Sequence, residues 1–267
     1  MSNNALARAL RGRASGPGSL APLARRYAAA LALLLAALVA LEWGLPALGV
    51  PAYLLPPPSR VLAQLADPTL PAHAAATAAA AAAGLAAGAL TGVGLAVAFV
   101  QVRPLEDALY PWVLVSQTIP AAALAPLLTI WLGDGLAPRA AMAALFAFFP
   151  ILVAAARGLR DVSPEQLALM RAWGAGSAQT LVHLRAPAAL PALFSGLRVA
   201  ATLAVVGAIV GELAGAGRGL GFVASVATYH LRTDRIFAAV ALAAALSLAL
   251  HGLIALAERA ALFWKRL

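Results

Sequence analysis

Ser195 stands before Gly196, and histidines occur at 73, 183, 230 and 251, so the residue types first invite a serine–histidine hydrolase. Such an enzyme needs its base within hydrogen-bond reach of the serine and a turn that stabilises the oxyanion. Leu193 occupies the first glycine position of a G-x-S-G motif, and His230 and His251 lie at the end of an apolar segment or in another one. That spacing assembles no nucleophile and base. The four histidines also lack HExxH or any other close ligand spacing, so no metal site is implied. The absence of cysteine removes disulfide and thiolate chemistry. The chain has no G-x-x-x-x-G-K-[ST] phosphate loop, so it is not expected to hydrolyse ATP or to bind a cofactor itself.

The remaining polar groups sit inside apolar runs. Ser116, Gln117 and Thr118 fall between Pro111, Pro120 and Pro126, each of which removes a backbone donor and favours a bend or break in a helix. Irregular backbone at membrane depth is tolerated where protein or a water-filled cavity surrounds it. These three residues are therefore candidates for lining a solute path. The alternative is that they only satisfy carbonyls released by the prolines. Gln117 is favoured, because its amide both donates to and accepts from an aromatic heterocycle. Glu212, expected near the outer end of a later span, is a further path or gate candidate, whereas Arg198 is expected to snorkel as an anchor.

The elements that must position these groups follow from composition. Sixty-three per cent hydrophobic residues, 11% charged residues and a mean hydropathy of +0.89 define an all-α membrane protein of about six transmembrane helices. The expected spans are 27–45, 73–100, 106–132, 137–156, 188–214 and 236–257. Residues 1–26 read as a basic tail before a membrane domain at 27–267. The first span is too long for a signal h-region and is read as uncleaved. Its Glu42 is expected near the outer end, where the charge penalty of roughly 2.5–3.5 kcal/mol at mid-membrane is relaxed. Gly84, Gly88 and Gly92 form a small-residue ridge for close helix packing, and Gly207 with Gly211 repeats it. Gly215, Gly217, Gly219 and Gly221 are expected in an exit turn.

With the N-terminus inside, thirteen of the nineteen basic residues fall on the cytoplasmic side, five outside and Arg198 in a span. Both termini are thus expected in the cytoplasm. The net charge of +9 is dispersed over helix ends without a basic groove, which speaks for topology and anionic lipid and against nucleic acid.

The densest local signal is DVSPEQLALMRAWGAGSAQTLVHLRAP at 161–187, placed on the same side. Ser163, Pro164 and Gln166 form a capping box with a first-turn proline. The helix is expected to end near Trp173, with Gly174 in the left-handed turn and Ser177 as a new N-cap of a second short helix reaching Pro187. Leu167, Met170 and Trp173 recur every three residues, so an element too short to span a bilayer carries an apolar stripe that must rest on something, for Trp173 either a protein groove or the membrane interface.

This elbow resembles the coupling loop of bacterial ABC importer permeases, through Ala168-Leu169-Met170, Gly174 and Pro187-Ala188-Ala189-Leu190-Pro191. The family motif usually begins Glu-Ala-Ala. Ala168 stands where that glutamate would be, and Glu165, about one turn earlier, is its candidate replacement. LPPPSRVLAQL, SQTIPAAALAPLLTIWLGDG at 116–135 and FSGLRVAATLAVVGAIVGELAGAGRGLG at 194–221 extend the resemblance to the nitrate/sulfonate/taurine group. Ser116-Gln117-Thr118-Ile119-Pro120 is more similar to permeases of thiamine pyrimidine precursors than to the sulfonate ones.

The resemblance implies a type I ABC importer transmembrane fold with a cytoplasmic coupling helix, in the bacterial inner membrane. It implies a permease homodimer with two ATPase subunits, which bind ATP and Mg, and a periplasmic or lipid-anchored substrate-binding protein. Glu165, Leu167, Ala168, Met170, Arg171, Trp173 and Gly174 would then form the ATPase-docking surface. The solute would be a thiamine pyrimidine precursor or similar heterocycle, or alternatively a sulfonate, taurine or nitrate. A channel would need a ring of charges or a carbonyl filter, and a stand-alone transporter would show repeats and mid-membrane charges. Neither pattern is evident.

Overall fold

The helices form where runs of alanine, leucine and valine are long enough to satisfy their own backbone in lipid. The computed structural model describes residues 20–263. Most of the 1–26 tail, together with Lys265 and Arg266, lies outside them. All regular structure among the described residues is helical. The chain divides into two units, 1–60 and 61–267.

In the first unit, α1 (Leu20–Val39) starts earlier than the expected 27 and continues through a π-turn, Ala40–Gly44, to Leu45–Ala47. Its apolar stretch is Ala30–Ala47. Glu42 accepts hydrogen bonds from the Ser59 amide at 2.9 Å and the Ser59 hydroxyl at 2.6 Å. The charge that the sequence left to solvation is thus held by protein donors.

The second unit contains most of α2 (Pro58–Leu65), then α3 (Leu70–Gln101), α4 (Arg103–Ser116), α5 (Ala121–Leu132), α6 (Leu136–Arg160), the elbow, α9 (Ala186–Leu213), α10 (Leu220–Tyr229) and α11 (Thr233–Ala261); the elbow holds α7 (Pro164–Ala172) and α8 (Ser177–Thr180). Helix α6 is clasped by α3 and α9, with α11 against α9. Small residues set this spacing. A Cβ on Gly84 would overlap Ala143 and come within 2.5 Å of the Ala140 carbonyl; on Gly88 and Gly92 it would meet the Ala144 and Phe148 carbonyls at 3.0 Å. Gly207 faces Met142 at 2.7 Å and Gly211 faces Arg139 at 3.1 Å in the same sense. Glycine removes the side-chain layer, so backbone dispersion contacts replace the hydrophobic drive that lipid cannot supply.

The third expected span is two helices, α4 and α5, bent by 99°. Of the three prolines only Pro120 marks the break, as the N-cap of α5, while Pro111 and Pro126 lie inside helices. The residue before a proline is pushed out of the α region, and the Gln117 and Thr118 amides close their own turn on the Leu114 and Val115 carbonyls. The second elbow helix is not separate either. Helix α8 runs through a π-turn, Leu181–Arg185, into α9 as one apolar helix, Ser177–Leu213. Pro187 falls at the start of α9, just past the widened turn, where its missing donor does not end the helix.

Two sequence expectations are refined by the structure. Arg198 does not snorkel free, because its Nη2 lies 2.5 Å from Glu258 on α11. Gly215, Gly217 and Gly219 lie in the turn after α9 as expected, whereas Gly221 falls inside α10, which starts at Leu220.

Candidate functional site

The elbow is built by local chemistry. The Ser163 hydroxyl accepts from the Gln166 amide at 3.3 Å, and the Gln166 side chain accepts from the Ser163 amide at 3.2 Å. Both orphan donors at the start of α7 are thereby satisfied. Gly174 has φ +70° and ends the turn, with the Gly174 and Ala175 amides returning to the Arg171 and Met170 carbonyls. Gly176, not Ser177, caps α8: its amide donates to Gln179 Oε1 at 3.0 Å, while Ser177 is the first helical residue. A glycine amide and a glutamine three residues on replace the serine hydroxyl.

Trp173 is 77% exposed, and Leu169 is also exposed, whereas Leu167 and Met170 are half-buried beneath them. Ala168, Glu165 and Arg171 lie on the exposed surface of the elbow. The Ser163 hydroxyl and the backbone N–H of Glu165 hold its carboxyl below the usual carboxylate range. It is therefore an anion at neutral pH. A helix hairpin offering tryptophan, leucine and a carboxylate to solvent is suited to insert into a protein groove.

A second location lies at the α4–α5 break. A cavity of about 510 Å³ is lined by Ser116, Gln117 and Ile119 at the break and by Phe146, Phe148, Phe149 and Pro150 near the middle of α6. Leu145, Leu124, Ala121 and Leu203 complete its apolar wall. The Ser116 and Thr118 hydroxyls donate to the Val113 and Val115 carbonyls at 2.7 and 2.8 Å, so both have local partners. The Gln117 side chain makes one long contact, its Nε2 donating to the Ser116 hydroxyl at 3.4 Å. Of the residues predicted to line a path, Ser116 and Gln117 face this cavity. Thr118 and Glu212 are not among its walls.

Glu212 instead lies fully buried at the end of α9. Its carboxylate accepts from the Thr77 hydroxyl of α3 and from the Gly221 amide at 2.8 Å. The Thr77 oxygen in turn accepts from the Leu220 amide at 2.9 Å, and His73 Nδ1 accepts from the Gly219 amide at 3.1 Å. These acceptors take the free N–H groups at the start of α10, which would otherwise be orphaned in an apolar setting. Gly219 has φ +119°, and a side chain there would fall inside the Glu212 carboxyl group. Arg139 adds a strap from α6, its Nη1 donating to the Arg218 carbonyl at 3.2 Å. This staple escaped the sequence reading; its only signal was an acid amid small residues before Gly219-Leu220-Gly221.

Comparison with known proteins fits this architecture. Residues 84–262 match the family of binding-protein-dependent transport system inner membrane components. The chain is 36% identical over 232 residues to the riboflavin transport system permease protein RibX of Chloroflexus aurantiacus, covering 85% of this chain and 87% of that protein. It is 35% identical over 173 residues to the formylaminopyrimidine transport permease protein ThiX of Halalkalibacterium halodurans, covering 64% and 69%. It is 30% identical over 249 residues to the taurine transport system permease protein TauC of Escherichia coli, covering 89% and 90%. Five helices among the described residues that are long and apolar enough to cross a membrane, one bent pair, an exposed capped elbow and this match together place the chain, a multi-pass inner-membrane protein, in the ABC importer permease family of binding-protein-dependent transport systems.

Proposed function

We propose that this permease carries a flat nitrogen heterocycle, such as a thiamine pyrimidine precursor or a related ring system, through a path that passes the cavity at the α4–α5 break. The cavity carries the reading. Three phenylalanines and one glutamine suit a planar polar ring, which stacks on aromatic faces while an amide pairs its edge. No arginine, lysine or histidine lines it, and a sulfonate would call for one. The printed names of two relatives, riboflavin and formylaminopyrimidine permeases, agree with the ring chemistry, while the taurine permease supports the alternative.

In this reading two copies of the chain pair in the membrane with both termini in the cytoplasm, and two ATPase subunits dock on the elbows through Leu167, Met170, Trp173 and Glu165. ATP and Mg are bound and hydrolysed by those subunits. A periplasmic or lipid-anchored binding protein delivers the solute on the opposite side. ATP-driven closure of the ATPases brings the elbows together and opens the path outward, so a partner biases two states through a rigid element.

Uptake by proteoliposomes containing the permease, its ATPase and its binding protein tests the substrate. Formylaminopyrimidine or riboflavin should be accumulated and taurine should not, and Gln117→Ala should lower uptake by about tenfold, the loss of one to two hydrogen bonds. Taurine uptake, or an unchanged Gln117→Ala, overturns the heterocycle assignment. Docking is read separately, by loss of ATPase co-purification in Leu167→Asp/Met170→Asp with insertion preserved.

A further inference from the structure

Three cavities adjoin where the elbow meets the ends of α3 and α6. The first, of about 600 Å³, has Glu106, Arg157 and Arg160 in its wall; the last, of about 330 Å³, has Leu167, Arg171 and Arg185. Between them is a cavity of about 280 Å³ lined by Phe99, Val100, Arg103, Arg160, Leu167 and Arg185. Half of its lining residues are arginines and none is acidic.

Two of these guanidinium groups are positioned from behind. Arg160 pairs with Glu106, and Arg185 Nη1 donates to the Leu159 carbonyl at 2.9 Å. A guanidinium carries five N–H donors in a fixed fork, so both retain donors for the cavity. The four ion pairs among the described residues leave Arg103 out. Three like charges around one small space repel each other, and an anion in that space converts the repulsion into attraction. Guanidinium forks match the paired oxygens of a phosphate better than a single point charge does.

The location narrows the source. Helix α3 ends at Gln101 and α6 at Arg160, and both are long and apolar enough to cross a bilayer. The cavity therefore lies at the ends of crossing helices, the level of phospholipid headgroups, with Phe99 and Val100 providing an apolar wall.

We propose that Arg103, Arg160 and Arg185 bind a phosphate group, supplied by an anionic phospholipid headgroup or by a soluble phosphate, and that this group ties the start of α4, the end of α6 and the π-turn of the elbow together, with Leu167 as part of the apolar wall. The site does not depend on which solute is carried.

Full-length permease purified in detergent is titrated with phosphatidylglycerol and with phosphatidylcholine, and bound lipid is counted by native mass spectrometry; inorganic phosphate is titrated in parallel. Phosphatidylglycerol should be retained about tenfold over phosphatidylcholine, and Arg103→Gln/Arg185→Gln should bring the two to parity. Arg259→Gln, which removes an exposed charge from the end of α11, should leave the ratio unchanged. Inorganic phosphate that binds without lipid preference, and is lost in the same double variant, assigns the soluble source. Leu167→Glu keeps every arginine and adds a carboxylate to the wall, so it should also abolish binding. Wild-type binding in either folded cavity variant, or an equal loss in Arg259→Gln, overturns the site.

Discussion

Thr77 and Glu212 are 135 residues apart in sequence, yet the Thr77 hydroxyl lies 2.8 and 3.0 Å from the two oxygens of the buried Glu212 carboxylate. One threonine thus donates to an acid on α9 while accepting from the first amide of α10. Thr77→Val keeps the shape and removes both functions, leaving a buried carboxylate and the Leu220 N–H underpaired. We expect a loss of about 1–3 kcal/mol, read as a lowered thermal midpoint of the detergent-purified protein. Thr77→Ser should recover most of it. Equal midpoints for valine and serine would show that the hydroxyl carries nothing.

Gly84→Leu should separate α3 from α6, since its Cβ already overlaps Ala143 and the rest of the side chain has no room. Overpacking of this kind costs about 1–3 kcal/mol or more. Gly94→Leu is the control on the same helix, because a Cβ there meets nothing within 4 Å. Protease resistance in membranes should fall in the first variant and hold in the second.

Gly174 has open space around its Cβ position, so substitution there acts through the backbone alone. Gly174→Val forces a β-branched residue to φ +70°, at a cost of about 1–2 kcal/mol. Asparagine, which tolerates that region, should largely retain transport. We expect the valine variant to insert normally and to fail in uptake; normal uptake would remove the turn from the coupling argument.

Arg198 and Glu258 join α9 to α11, and each keeps some solvent exposure, which discounts the pair. A double-mutant cycle with Arg198→Gln and Glu258→Gln should give a coupling of about 1 kcal/mol. A coupling near zero would return Arg198 to the anchoring role inferred from its long stem.

Asp67 accepts from the Thr69 amide at 2.8 Å and the Thr69 hydroxyl at 2.7 Å, and pairs with Arg235 at 2.9 Å. The Thr69 amide first, then its hydroxyl, with Arg235 and Arg232 adding attraction, hold this carboxyl below its ordinary value. A lowered folded-state pKa stabilises above the unfolded value of about 3.9 and is lost as pH falls through the folded one. The Thr69 amide resonance should therefore stay constant from neutral pH to about pH 4 and shift only below it. A transition above that range would contradict the tether.

What the sequence made legible was the chemistry that acts within one turn. Ser163, Pro164, Gln166 and Gly174 determine the elbow through neighbours three or four residues away, and alanine and leucine runs give the spans. The α4–α5 break was legible as a region, but three prolines could not say which one would dominate; local amide closure at Gln117 and Thr118 decides for Pro120. The partners of Glu212 and Arg198, Thr77 and Glu258, were not legible because they are distant in sequence. A lone acid or base in an apolar run looks solvent-bound or functional until its partner is located.

The continuous helix from Ser177 to Leu213 has 37 residues and so measures roughly 55 Å at 1.5 Å per residue. One end belongs to the elbow and the other carries Glu212. It is a lever with a gearing ratio: a tilt of about 10° pivoted near the elbow sweeps the far end by roughly 10 Å. The staple on α10 rides on that far end, and Gly207 and Gly211 hold the same end against α6, so α6, α9 and α10 swing as one block in any such tilt.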